Sequence, residues 1–194
     1  MPLTSFVDFI LKSGPAKVTV VRDFKTRGEY EPFADFYKKI REGIVDMHRC
    51  AKPKSALDAL VAGLADAKKQ NNYPEIVRGY KKFLGKKQIS WFDPPRADWQ
   101  SGSITVSVNP ELGLDIEGQP TTIKLYLKAP TLTKARAEVI AHLMKIAFPV
   151  GVGGTCAILD VRRGRLFQPP TQASTHGALV IGEALSFGAI YAQV

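Results

Sequence analysis

The chain has 194 residues, 45% hydrophobic and 23% charged, enough to bury about 70% of its unfolded surface without disulfides or metals. Its two cysteines, Cys50 and Cys156, and three histidines, His48, His142 and His176, are scattered, which speaks against a disulfide framework and against a structural zinc site. The 27 Lys and Arg against 18 Asp and Glu leave a net charge of +9, a balance that favours polyanionic partners.

No run approaches ~18 uninterrupted apolar residues. The apolar N-terminal stretch from Phe6 to Leu11 contains Asp8 and lacks a basic leader, so the expectation is a cytoplasmic protein with no membrane partner. In chain order, residues 5–12 read as a short helix ended by Ser13-Gly14-Pro15. Lys17–Arg22 alternates and is β-branched, which predicts a strand.

Three helices are expected next. Residues 33–48 place Phe33, Tyr37, Ile40, Ile44 and Met47 at helical spacing. Ser55 can cap a second, with Leu57, Leu60, Val61 and Leu64 as its stripe. Asn72 and Glu75 resemble a capping box around Pro74 for a third, which carries Tyr73, Ile76, Val77, Tyr80, Phe83 and Leu84 and ends at Gly85.

The period then changes to two. Gln88–Phe92 is a short strand stopped by Asp93-Pro94-Pro95. Residues 103–128 read as one long antiparallel hairpin, with a bend at Asn109-Pro110, a turn at Glu117-Gly118-Gln119-Pro120, and a return over Thr121–Lys128. Thr131 or Thr133 starts another helix, ended by Pro149. Thr155–Val161 is a strand, Arg163-Gly164 a turn, and Gly177–Gln193 a final apolar helix. The Gly151-Val152-Gly153-Gly154 run follows a helix and enters a strand, the reverse of a phosphate-cradling loop, and reads as a connection.

The expected fold is α+β: a mixed sheet with the hairpin at its centre, in the core order αβββαβ. One domain covers residues 1–194, with a mostly helical part over 1–72 packed on a sheet core over 73–194.

The hairpin gathers the candidate chemistry. Burying Leu112, Leu114 and Ile116 turns Glu111, Asp115 and Glu117 to the other face, and burying Ile123, Leu125 and Leu127 turns out Thr122, Lys124, Tyr126 and Lys128. A turn centred on Gly118-Gln119 pairs Asp115 with Thr122 and Glu111 with Tyr126, leaving Lys124 diagonal to both acids. Two basic groups stand apart from it. Lys81, Lys82, Lys86 and Lys87, with Arg78, surround the end of the third helix, and Arg162, Arg163 and Arg165 cluster after Asp160. Each could meet phosphates, which position nucleic acid without reading its sequence.

This order and this hairpin resemble the restriction-endonuclease-like (PD-(D/E)XK) nuclease superfamily over roughly residues 73–161. The resemblance implies an acid on the second core strand, matched by Asp115 or by Glu111 in Asn109-Pro110-Glu111, and a lysine on the third, matched by Lys124 in Thr122-Ile123-Lys124. It implies Mg²⁺ held by Glu111 and Asp115, with Lys124 orienting the attacking water. The sequence departs from the pattern at Thr122, which stands where a second acid is expected. The expectation is therefore a nucleic-acid-associated protein, either a divergent metal-dependent nuclease or an inactive one. The alternative is a non-catalytic interaction or scaffold protein whose basic surface meets an acidic protein partner.

Overall fold

The dipeptide Asn109-Pro110 decides the architecture, because the chain changes sheets there. The computed structural model describes residues 1–26, 35–168 and 175–194. Among them the helices are α1 (Leu3–Ile10), α2 (Pro15–Thr26), α3 (Lys38–Arg49), α4 (Ala67–Leu84), α5 (Lys134–Ala147) and α6 (His176–Gln193). The strands are β1 (Ile89–Phe92), β2 (Ala97–Ser101), β3 (Ile104–Val108), β4 (Leu112–Ile116), β5 (Gln119–Tyr126), β6 (Thr155–Asp160) and β7 (Arg165–Phe167). The fold is α+β, as expected, with a mixed five-stranded sheet in the order β1-β4-β5-β6-β7.

The expected 103–128 hairpin divides in two. Residues 112–126 form an antiparallel pair, β4 with β5, whereas β3 pairs with β2 in a separate two-stranded sheet. Alternation in β3 and β4 is alike in sequence, so periodicity alone cannot tell one long strand from two short ones. Proline supplies no ladder donor, which suits it to the point where β3 leaves.

The β4–β5 turn is displaced by one residue from the expected centre on Gly118-Gln119. Ile116 faces Gln119, so the loop is Glu117-Gly118 alone. Both residues have positive φ, 54° and 82°, the geometry of a two-residue hairpin turn that matches strand twist.

Helix α5 carries the chain from β5 across to a parallel β6, and β7 folds back antiparallel. With α4 and β1 before them, these elements run α4-β1-β4-β5-α5-β6, with β2 and β3 inserted after β1. Thr133 caps α5, its hydroxyl accepting from the Arg136 amide at 3.3 Å.

Both faces of the sheet are covered. On one side Leu112, Leu114, Ile123, Leu125 and Leu159 pack with Ile40, Ile44, Ile76 and Tyr80 of α3 and α4. On the other, Ile158 joins Phe6, Phe9, Val106, Ile140 and Phe187, from α1, β3, α5 and α6. The face carrying Thr122, Lys124 and Tyr126, expected to lie open, is therefore roofed by a second core.

Three local expectations need correction. Lys17–Arg22 is helical, not extended: Pro15 pre-sets the first turn, and helical spacing lets Val21 be buried while Val20 and Phe24 pack beside it. The Ser55 segment is a 3₁₀ helix, Lys54–Leu60, with no side-chain cap. Helix α4 starts earlier than Asn72, at Ala67, because Asp66 accepts from the amides of Lys68 and Lys69. Phe33, expected to begin the 33–48 helix, lies outside the described residues.

Candidate functional site

Strands β5 and β6 run parallel and β4 runs against them, so the start of β4 and the ends of β5 and β6 share one end of the sheet. Glu111, Lys124 and the β6–β7 turn with Arg162 and Arg163 all fall at this end.

Glu111 and Lys124 meet directly there. Lys124 Nζ is 2.6 Å from Glu111 Oε1, and it also donates to the Asn109 carbonyl at 2.9 Å. The second carboxylate oxygen of Glu111 accepts from the Leu125 amide at 2.8 Å. Both side chains are only 14% and 12% exposed, so the pair is held against the protein and bordered by a groove. That groove, about 1020 Å³, also borders Arg41, Arg49, Arg96 and Lys128. Three of these four cations are already matched: Arg41 with Asp35, Arg49 with Asp46 and Lys128 with Asp8.

Asp115 does not join them. It faces Pro120 at the turn end of the hairpin and accepts from the Gly118 amide at 2.7 Å. Four residues of strand separate it from Glu111, roughly 13 Å, so one cation cannot be shared by both carboxylates. Thr122 is fully buried, and its hydroxyl donates to the Gly153 carbonyl at 2.6 Å. The residues expected to hold Mg²⁺ therefore do not fit a shared ion, and among the described residues no group of three or more His, Cys, Asp and Glu side chains is placed to hold one.

The two basic clusters, some eighty residues apart in sequence, come together in space. A Cβ at Gly79 would lie 2.1 Å from the Val161 carbonyl oxygen, so only glycine lets the β6–β7 turn rest on α4. Gly164, in that turn, lies against Gly79, Lys82 and Phe83. Arg78 and Lys82, one helical turn apart, thus lie beside the turn that carries Arg163 and Arg165.

Not all the expected cations face outward. Arg162 is buried: its guanidinium donates to the Leu127 carbonyl at 2.9 Å, to Asn72 at 2.7 Å and to Glu75. It ties α4 to the sheet and is spent on that task. Its partners are the Asn72 and Glu75 read from sequence as a capping box. Lys81 is paired with Asp58 at 2.6 Å, and Arg163 reaches buried Asp160 and the Ala129 carbonyl. Lys87 turns back to the Phe83 carbonyl and ring. Arg165 lies 4.6 Å over the Phe167 ring. Among the described residues, Arg78, Lys82, Lys86, Lys87 and Arg165 are exposed with no carboxylate partner.

One partly buried polar pair was not foreseen. His48 Nε2 lies 2.6 Å from the Tyr80 hydroxyl, joining α3 to α4. Burial lowers the His48 pKa to about 4 and pushes Tyr80 well above its ordinary range. The only sequence signal was that His48 lies one residue beyond the apolar stripe of its helix. No helix among the described residues is long and apolar enough to cross a membrane. Comparison with protein-family models, curated proteins and solved structures gives no match.

Proposed function

We propose that this chain is a nucleic-acid-associated protein with a restriction-endonuclease-like core whose cleavage centre is incomplete, so that it holds nucleic acid without cutting it. The observation that carries this reading is the contact of the β6–β7 turn with α4 at Gly79, which merges two basic clusters into one patch of unneutralised cations. Such cations bind phosphates by releasing condensed counterions, a term independent of sequence.

The order α4-β1-β4-β5-α5-β6 supports the core assignment. In this reading Glu111 stands for the first acid and Lys124 for the lysine, a reading supported by their contact at one end of the sheet. The position of the second acid is Thr122, with its hydroxyl committed to Gly153. A hard cation that activates water at a phosphate is held by one or two free carboxylates, and Glu111 stands alone with both its oxygens engaged, by Lys124 and by the Leu125 amide.

Fluorescence anisotropy with labelled single-stranded and duplex oligonucleotides, in Mg²⁺ and at rising salt, tests both halves. Binding that weakens steeply with salt, with the oligonucleotide left intact, is expected. A chain that binds an acidic polypeptide and no nucleic acid at low salt would instead be the scaffold with a basic surface.

A further inference from the structure

Between α5 and the edge strand β7 lies a pocket of about 420 Å³, within the roughly 300–1,000 Å³ of small-molecule sites. Its apolar lining is Ala137 of α5 with Leu166 and Phe167 of β7. Arg165 and Phe167, two residues apart on the strand, point to the same face, and the Arg165 guanidinium lies 4.6 Å from the centre of the Phe167 ring. Ring and guanidinium thus form a flat stack in the pocket wall, a platform for a further planar ring. Glu138 and Gln168 complete the lining with an acceptor and an amide, groups that can meet the polar edge of such a ring.

Arg165 also belongs to the cation patch. A Cβ on its neighbour Gly164 would lie 3.2 Å from the Lys82 Cβ, so pocket and patch are continuous through this one arginine. Lys134, 86% exposed and 3.8 Å from Glu138, adds a second cation to the pocket lining. The ligand that matches this arrangement has a planar ring with a polar edge and carries phosphates beside it. We propose that the pocket holds one unstacked base of a single-stranded nucleic acid whose backbone crosses Lys82 and Arg165.

This inference rests on the patch being a phosphate-binding surface and adds a substrate class to it. The bases of a duplex are paired and stacked and cannot enter the pocket. A single strand can splay a base onto an aromatic face or a guanidinium plane. Phosphate contacts alone do not sense whether a base is present.

Fluorescence anisotropy with the full chain tests it by comparing a short single-stranded oligonucleotide with an abasic strand of the same length, which keeps the phosphates and lacks the bases. Wild type is expected to bind the base-bearing strand about tenfold more tightly, within the range for one stacked base. Phe167→Leu keeps an apolar side chain against the core on which Phe167 packs and removes the ring face. It should bind both strands equally, with the wild-type affinity for the abasic strand, which shows that the variant is folded. Equal binding of the two strands by wild type overturns the base pocket and leaves the phosphate-binding reading standing. A preference that survives in Phe167→Leu also overturns it, since the base then lies elsewhere. Binding of neither strand at low salt is a separate failure, which removes the phosphate-binding reading and this proposal with it.

Discussion

Lys124 Nζ stands 2.6 Å from Glu111 Oε1 across β4 and β5, and each side chain is also held by the backbone next to the other. An acid and a lysine that could serve a nuclease centre are thereby locked to each other. A shielded pair with this much hydrogen bonding is worth more than a solvated surface ion pair, which contributes about 0–1 kcal/mol. A double-mutant cycle over Glu111→Gln and Lys124→Met should give a coupling of about 1–3 kcal/mol. A coupling indistinguishable from zero would mean that the two groups are solvated independently.

Thr122 stands where the proposed nuclease core would need its second acid, and it is fully buried with its hydroxyl donating to the Gly153 carbonyl. An aspartate would be buried with its carboxylate beside the Gly153 carbonyl, an acceptor that repels it. Thr122→Val should cost about 1 kcal/mol, the worth of one hydrogen bond. Thr122→Asp should cost more, lower the melting temperature, and confer no cleavage in Mg²⁺. Metal-dependent cleavage by Thr122→Asp would show that the centre is complete but for this residue.

Arg162 is a structural residue by its contacts. Arg162→Ala removes donors from the Leu127 carbonyl, Asn72 and Glu75 at once. Urea unfolding should show a loss of about 2–4 kcal/mol, within the range for a broken buried network. Lys82→Ala, at an exposed cation, should stay within about 0.5 kcal/mol of wild type. Equal effects of the two would contradict the division of the basic residues into inward and outward groups.

The His48–Tyr80 contact sets an acid limit on α3–α4 packing. Folded His48 titrates near 4, whereas an unfolded histidine titrates near 6.5. Between those values the unfolded chain binds the proton and the folded chain does not, so this contribution is intact above about pH 6.5 and is lost as pH falls toward 4. Urea midpoints at pH 7.5 and pH 5 should differ in that direction, and His48→Gln should flatten the difference. An unchanged pH dependence in His48→Gln would assign the acid sensitivity elsewhere.

Alternation made β4 and β5 legible, and apolar spacing made α3, α4 and α5 legible, because both patterns report a buried face. Register was harder. A turn on Gly118-Gln119 is natural if glycine leads the loop, but Glu117 also takes positive φ, and the pairing shifts by two residues. That shift keeps every side chain on its face yet moves Lys124 from diagonal to Glu111 to direct contact with it. Charge clusters were legible as clusters, while burial was not: nothing local distinguishes Arg162 from Arg163 or Arg165. The valines of α2 satisfy a strand pattern and a helix face equally, and packing against α6 decided for the helix.

The central claim is that Lys82 and Arg165, far apart in sequence, belong to one phosphate-binding surface. Its most direct test is the salt dependence of oligonucleotide binding by wild type and by the Lys82→Glu/Arg165→Glu double variant. Each cation engaged contributes about −0.9 to the slope of log K against log salt on duplex DNA, so the variant should bind more weakly with a slope shallower by about 2. A variant with the affinity and slope of wild type would contradict the account.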